Sequence, residues 1–218
     1  MALVLFDLDN TLLAGDSDHT WGEFIVDRKL VDEQAYRKSN DQFYQDYLQG
    51  KLDIKAHLAC CLAPLTEHSM ETLHQLREEF VQERIVPMIA KEARELIRRH
   101  REAGDTLMII TATNRFVTEP IAHLLGIDLL LASDVEIKGG QYTGKPEGIP
   151  CYQEGKVTRL KQWLDENKEI SLEGSVFYSD SHNDLPLMEI VDSPVAVDPD
   201  ETLTATAKER NWPIISLR

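Results

Sequence analysis

Hydrophobic and polar positions along this chain follow two different periods. The opening run "LVLF" (3–6) is apolar without interruption and ends on Asp7, the pattern of a short strand buried on both faces. From about residue 16 to 103 apolar residues recur at three- and four-residue spacing instead. In "TEHSMETLHQLREEFVQERIVP" (66–87), Met70, Leu73, Leu76, Phe80, Val81 and Ile85 share one helical face. Thr66 is placed to cap that helix and Pro87 to end it.

After Gly104 the two periods alternate. Strands are predicted at 106–113, 127–137, 175–181, in "PVAVD" and in "PIISL". Helices are predicted at 114–126, in "EGKVTRLKQWLDEN", in "DLPLMEIV" and at 201–211, and a hairpin turns on Gly139-Gly140. Strands alternating with helices of about a dozen residues predict an α/β fold, a three-layer Rossmann-like core with a parallel sheet. That core is discontinuous, residues 1–15 and 88–218, with a helical cap domain inserted over 16–87. Ligands of open parallel sheets lie outside the carboxyl ends of the strands. The rule selects Asp7 and Asp9, Thr111 and Thr113, and Asp180 and Asp184.

Composition narrows the partners. The formal net charge of −15 argues against nucleic acid and anionic membrane surfaces, which require a basic footprint. No apolar run approaches the ~18 residues of a membrane span. The N-terminal "MALVLF" lacks the basic start of a signal peptide, so a cytoplasmic location is expected. Cys60, Cys61 and Cys151 fit neither a disulfide framework nor a CxxC metal site and read as buried apolar side chains. Nothing in the pattern specifies an oligomeric state.

Three D-x-D pairs occur, at 7/9, 16/18 and 198/200, where one or two are expected by chance at roughly this aspartate content. The pair in "VDPDE" reads as a solvated turn before a helix. The 7/9 pair differs because it ends a buried strand and has polar partners at the ends of two other strands. A carboxylate buried there without a partner is costly. "GKPEGIPCYQEGK" lacks the G-x-x-x-x-G-K-[ST] pattern of a P-loop.

In order, "FDLDNT" (6–11), "IITATN" (109–114), "GK" (155–156) and "YSDSHNDLP" (178–186) resemble the four motifs of the haloacid dehalogenase superfamily. The helical insert resembles the type I cap of its phosphoserine-phosphatase-like subgroup, subfamily IB. The resemblance implies a phosphatase that binds Mg²⁺ and acts on a small phosphomonoester. It implies Asp7 as nucleophile forming an aspartyl-phosphate, Asp9 as general acid and base, and Thr111 and Lys156 on the phosphoryl group. It implies Asp7, the Asp9 carbonyl, Asp180 and Asp184 around the metal, Asn183 near the phosphate, and Thr11 shaping the loop behind the aspartates. Such hydrolysis is extremely slow unaided, and a covalent carboxylate route divides it into two easier displacements.

The substrate's leaving group is expected to be read by the cap. Phosphoserine phosphatases of this group carry paired glycines where Asn114 and Arg115 stand, and a glutamate where Asp16 stands. "GDSDHTWGEF" (15–24) is expected to bring Asp16, Asp18 and Glu23, with Trp21, to the cap entrance. An acidic, aromatic mouth favours an amine or imidazole over a carboxylate, whereas Arg115 favours a carboxylate; among the substrates that the resemblance implies, this points to histidinol phosphate over phosphoserine. His182 invites a catalytic reading, but the motif residues already fill every role and a contact at the site edge is the lesser expectation; the remaining histidines are expected mostly on helix surfaces. Transfer of the phosphoryl group to an alcohol is one alternative. A non-catalytic regulatory protein is another, but it would normally have lost a motif residue, and none is missing.

Overall fold

The computed structural model describes residues 2–218. In chain order the elements are β1 (Leu3–Phe6), α1 (Ser17–Asp27), α2 (Glu33–Leu48), α3 (Ile54–Leu62), α4 (Met70–Phe80), α5 (Lys91–Glu102), β2 (Thr106–Asn114) and α6 (Arg115–Leu125). There follow β3 (Leu129–Lys138), β4 (Gln141–Glu147), α7 (Glu154–Glu166), β5 (Val176–Ser179), α8 (Leu185–Met188), β6 (Ser193–Val197), α9 (Glu201–Arg210) and β7 (Ile214–Ile215). The sheet order is β4-β3-β2-β1-β5-β6-β7. All pairings are parallel except β3 with β4.

β1 shows why an unbroken apolar run makes a central strand. Successive side chains point to opposite faces, so both faces need apolar residues. Val4 and Phe6 enter a core with Ala93 and Ile97 of α5 and Val117 and Ile121 of α6. Leu3 and Leu5 enter a second core with Leu160 of α7, Leu187 of α8 and Leu203 of α9. The result is three layers, with β1 near the centre of the sheet and flanked by β2 and β5.

The chain leaves the sheet after β1, builds α1 to α4, and returns through a segment that pairs with the departing one. Leu13 bridges Ile89 in antiparallel fashion, and Ala14 N–H donates to Met88 O at 2.8 Å. Trp21 does not stand at the cap entrance. It is buried, 5.2 Å centroid to centroid from Phe80 and 5.3 Å from Phe116, and joins the cap to α6.

Thr66 does not cap α4. It lies in a separate single turn, its hydroxyl bonded back to Ala63 O at 2.8 Å, and Ser69 caps the helix through Thr72 N–H. The β3–β4 hairpin turns on Gly139 and Gly140, both at positive φ (60° and 76°), a backbone conformation that costs glycine little. Cys61 and Cys151 are buried, Cys60 is partly so, and all three are free thiols. Among the described residues, no helix is long and apolar enough to cross a membrane.

Candidate active site

The carboxyl ends of β1, β2 and β5 meet at one place. β1 ends where Asp7 N–H donates to Tyr178 O at 2.9 Å, and the chain then turns sharply through residues 8–12, with Asn10 in the left-handed region at φ 55°. That turn puts Asp7, Asp9 and Thr11 on the sheet edge, all buried. The Asp7 carboxylate accepts from Lys156 Nζ at 2.7 Å. Lys156 also donates to the Asp184 carboxylate at 2.7 Å, and Ser179 Oγ donates to Asp184 at the same distance.

Thr11 Oγ1 accepts the Asp180 N–H at 3.0 Å and lies 3.0 Å from Asp180 Oδ1 and 3.3 Å from Asp7 Oδ2. One hydroxyl therefore ties the end of β1 to the end of β5. Lys156 is presented by the start of α7, whose preceding turn requires Gly155. A Cβ there would stand 2.0 Å from Pro150 O, inside any tolerable contact.

Asp9 is held from two elements, α1 and β2. Its Oδ1 accepts Ser17 N–H, at the start of α1, at 2.6 Å, and its Oδ2 accepts Thr113 Oγ1–H at 2.8 Å. Thr113 N–H in turn donates to Thr111 Oγ1 at 3.2 Å. Burial, then the charge of Asp16, pushes the Asp9 carboxyl up to about 7. Burial likewise raises Asp7 to about 7, even against the adjacent Lys156 charge. Asp180 is raised well above the carboxylate range by burial and by Asp7 and Asp184. For Lys156, burial works against the charge, but Asp184 and Asp7 outweigh it and keep the ammonium protonated.

Three buried carboxylates, Asp7, Asp180 and Asp184, thus lie close together with a single lysine, which bonds Asp7 and Asp184 but not Asp180. This excess of hard oxygen donors and negative charge fits a divalent cation such as Mg²⁺. Asp7 and Asp9 open into a cavity whose other wall is the cap, including Asp16, Asp18, His19, Phe43, Tyr44 and His57.

The cap side chains have distinct surroundings. Asp18 accepts from His57 Nε2 at 2.9 Å, from Asn114 Nδ2 at 3.0 Å and from Cys61 Sγ at 3.3 Å. Burial alone would raise its carboxyl, but the His57 charge and these bonds hold it below the usual range. Burial opposes the charge on His57, and Asp18 more than restores it, so the imidazole pKa is raised. The pair is close to neutral as a unit. Asp16 caps α1 through His19 N–H at 2.8 Å and makes no salt bridge among the described residues. Burial, with Asp18 beside it, pushes Asp16 up to about 6.

Several of the expected site residues are directed elsewhere. Arg115 turns back along the sheet, with Nε 2.5 Å from Asp134 Oδ1 and Nη2 bonded to Leu130 O. It does not line the cavity; its guanidinium is held by Asp134 on β3 and the Leu130 carbonyl. Glu23 pairs with Arg37 and is not among the residues that line the cavity. Asn183 joins core to cap, its Nδ2 donating to Tyr47 O at 3.0 Å and its Oδ1 accepting from Tyr152 and Gln153. His182 pairs with Asp200 at 2.8 Å outside the cavity.

Two residues take roles that the sequence did not assign. Thr113, placed at the sheet edge by the strand-end rule, shares a strand face with Thr111 and holds Asp9. His57, expected on a helix surface, is a cavity residue. Its i,i+4 spacing to Cys61 is the only sequence signal of a shared face.

A family model described as haloacid dehalogenase-like hydrolase matches residues 4–189. The chain belongs to the haloacid dehalogenase-like hydrolases. Within that family its full-length relatives include phosphatases. It is 44% identical over 219 residues, 99% of each chain, to the histidinol-phosphatase of Neisseria meningitidis. It is 31% identical, over all of this chain and 71% of the other, to a phosphoserine phosphatase of Mycobacterium tuberculosis. A protein of unknown function from Bordetella pertussis Tohama I has the same fold, with a TM-score of 0.92 at 40% identity over 100% and 99% of the two chains.

Proposed function

We propose that this protein is a cytoplasmic, Mg²⁺-dependent phosphomonoesterase of amino-acid biosynthesis that hydrolyses histidinol phosphate through an aspartyl-phosphate on Asp7. The observation that carries the substrate is the charge of the cavity. Four aspartates line it, among them the unpaired Asp16, and among the described residues no lysine or arginine does. A leaving group bearing an ammonium and a neutral imidazole matches one free carboxylate and an aromatic wall. The carboxylate of phosphoserine meets no free cation there, since Arg115 is committed to Asp134 and His57 to Asp18. The 44% identical histidinol-phosphatase supports the same reading.

The reaction follows from the side chains. An Asp7 oxygen forms a bond to phosphorus as the ester P–O bond breaks, and Lys156 offsets the charge gathered there. Thr111, whose oxygen already accepts from Thr113 N–H, has its own proton for a phosphoryl oxygen. Asp9, at about 7, gives its proton to the departing alkoxide and then takes one from the water that attacks the aspartyl-phosphate. Asp7, the Asp9 carbonyl and Asp180 would hold Mg²⁺, with Asp184 in support, and the ion would supply the positive charge that lets a carboxylate approach a phosphate.

Side-by-side kinetics test the assignment. The expected result is a higher kcat/KM for histidinol phosphate than for phosphoserine, with free phosphate matching alcohol product even when acceptor alcohols are added. A preference for phosphoserine overturns the substrate, and a deficit of phosphate with added alcohol indicates transfer.

Asp16 adds a pH signature. An ammonium–carboxylate contact contributes about 1.5–3 kcal/mol, or roughly 10–100-fold in binding. With its carboxyl at about 6, Asp16 is ionised at neutral pH and protonated below that value. The ratio of KM for histidinol phosphate to KM for p-nitrophenyl phosphate should therefore rise as pH falls through 6. In Asp16→Asn the ratio should be high and less dependent on pH. A ratio that Asp16→Asn leaves unchanged rules out this contact.

A further inference from the structure

The turn that carries Asp9 and Thr11 has left the sheet, so several of its carbonyls have no strand partner. Three of them converge on one distant side chain. Arg218 Nη2 donates to Asn10 O and, at 2.9 Å, to Leu13 O, and Nη1 lies 3.4 Å from Thr11 O. These contacts span more than two hundred residues of sequence, and no local rule of turn geometry produces them.

The arginine is itself held in place. Leu217 is buried in the same core as Phe6 and Leu13, and its N–H donates to Asp198 Oδ2 at 2.9 Å. That same oxygen lies 3.9 Å from Arg218 Nη1. Asp198 follows β6 at a positive φ of 43° and is tied by its own N–H to Ile215 O at 2.9 Å. Arg218 therefore reaches the turn from an anchored base and is not among the residues that line the cavity.

We propose that Arg218 is a positioning residue for the phosphatase reaction, clamping the 10–13 backbone so that Asp9 and Thr11 keep their places. The assignment rests on the roles of Asp7 and Asp9 proposed for that reaction. A planar guanidinium offers five donors in a rigid fork, which suits several fixed carbonyls, whereas a lysine ammonium offers a single rotating centre. Asn10, at φ 55°, sits in the left-handed region, which asparagine adopts more readily than other non-glycine residues, and Arg218 bonds its carbonyl in that conformation. Released, the turn shifts Asp9 relative to Ser17 and Thr113, and Thr11 relative to Asp180.

Steady-state kinetics with p-nitrophenyl phosphate test this without depending on the natural substrate. Arg218→Ala is expected to lose about 10- to 100-fold in kcat, the scale of a sub-ångström to 1 Å misplacement, with KM little changed. Millimolar guanidinium chloride should restore part of that kcat while leaving the wild type unaffected, and Arg218→Lys should recover only a fraction. A merely structural role would lower Tm and the folded fraction, with kcat per folded molecule intact and no rescue; that result overturns the proposal. If Arg218→Ala does not fold, Arg218→Lys decides. A kcat within twofold of wild type overturns the clamp, and a loss rescued by neither substrate nor Mg²⁺ concentration supports it. Absence of turnover in the wild type sinks the phosphatase reading itself, and the clamp with it.

Discussion

Asp7→Asn should abolish turnover, by at least about 10⁴-fold in kcat, while leaving a folded protein. The loss is large because the amide removes the nucleophile itself, and the steps that follow act on an intermediate that no longer forms. Folding is expected to survive for a separate reason. The Asp7 carboxylate costs free energy to bury, as its elevation to about 7 records, and asparagine has the same shape without the charge. Lys156 keeps Asp184 as its counter-ion at 2.7 Å. Phosphate release from histidinol phosphate and from p-nitrophenyl phosphate, with Tm measured alongside, checks both halves. Residual kcat above about one per cent of wild type would show that water attacks phosphorus directly, against covalent catalysis of the size expected.

Lys156→Met is the second large effect, and it strikes stability as well as rate. The lysine is 2% exposed and bonded to two carboxylates, so its removal leaves Asp7 and Asp184 facing each other in a buried site. Breaking a buried pair from one side typically costs about 3–5 kcal/mol. Removing one preorganised positive donor from the phosphoryl site costs a further ~10²–10³ in kcat.

The pH dependence of the stability loss carries a definite sign. Asp7 already stands at about 7 with the lysine present, above its unfolded value of 3.8, and without the lysine it stands higher. A group whose folded pKa is raised contributes stability at low pH and loses it as pH rises through the folded value. The deficit of Lys156→Met relative to wild type should therefore be largest at pH near 8 and shrink toward pH 5. Denaturant unfolding at several pH values measures it. A deficit that grows on acidification would mean that Lys156 is not the counter-charge of Asp7.

Both effects concern residues that the amino-acid sequence singles out. The apolar run into Asp7, the strand ending near Thr111, and Asp180 after "SVFY" are all local patterns. A parallel sheet brings the carboxyl ends of its strands to one edge, so alternating strands and helices place these acids together. Lys156 is legible only through its resemblance to a known motif, since a lysine on a helix carries no local sign of burial.

The cap is legible as helices but not as a binding wall. Period tells which face of a helix is apolar, yet not which residue of another element meets it. Arg115 reads as a carboxylate receptor, but Asp134, 19 residues on, claims it. His57 and Trp21 exchange their expected places for the same reason. The histidine meets Asp18 in the cavity, and the tryptophan meets Phe80 and Phe116 in the interior.

What the sequence by itself determined is the order of strands and helices, the run of helices that follows β1, and the acids at the sheet edge. These depend on the alternation of side chains and on spacing along a few residues. Tertiary structure alone decided that Asp18 is neutralised and Asp16 is not, that Arg115 is withdrawn, and that Arg218 grips the turn behind Asp9. Each of those outcomes is a choice between partners far apart in the chain. Burial makes the choice binding, because a charge or carbonyl removed from water must be satisfied by whichever group the packing brings within reach.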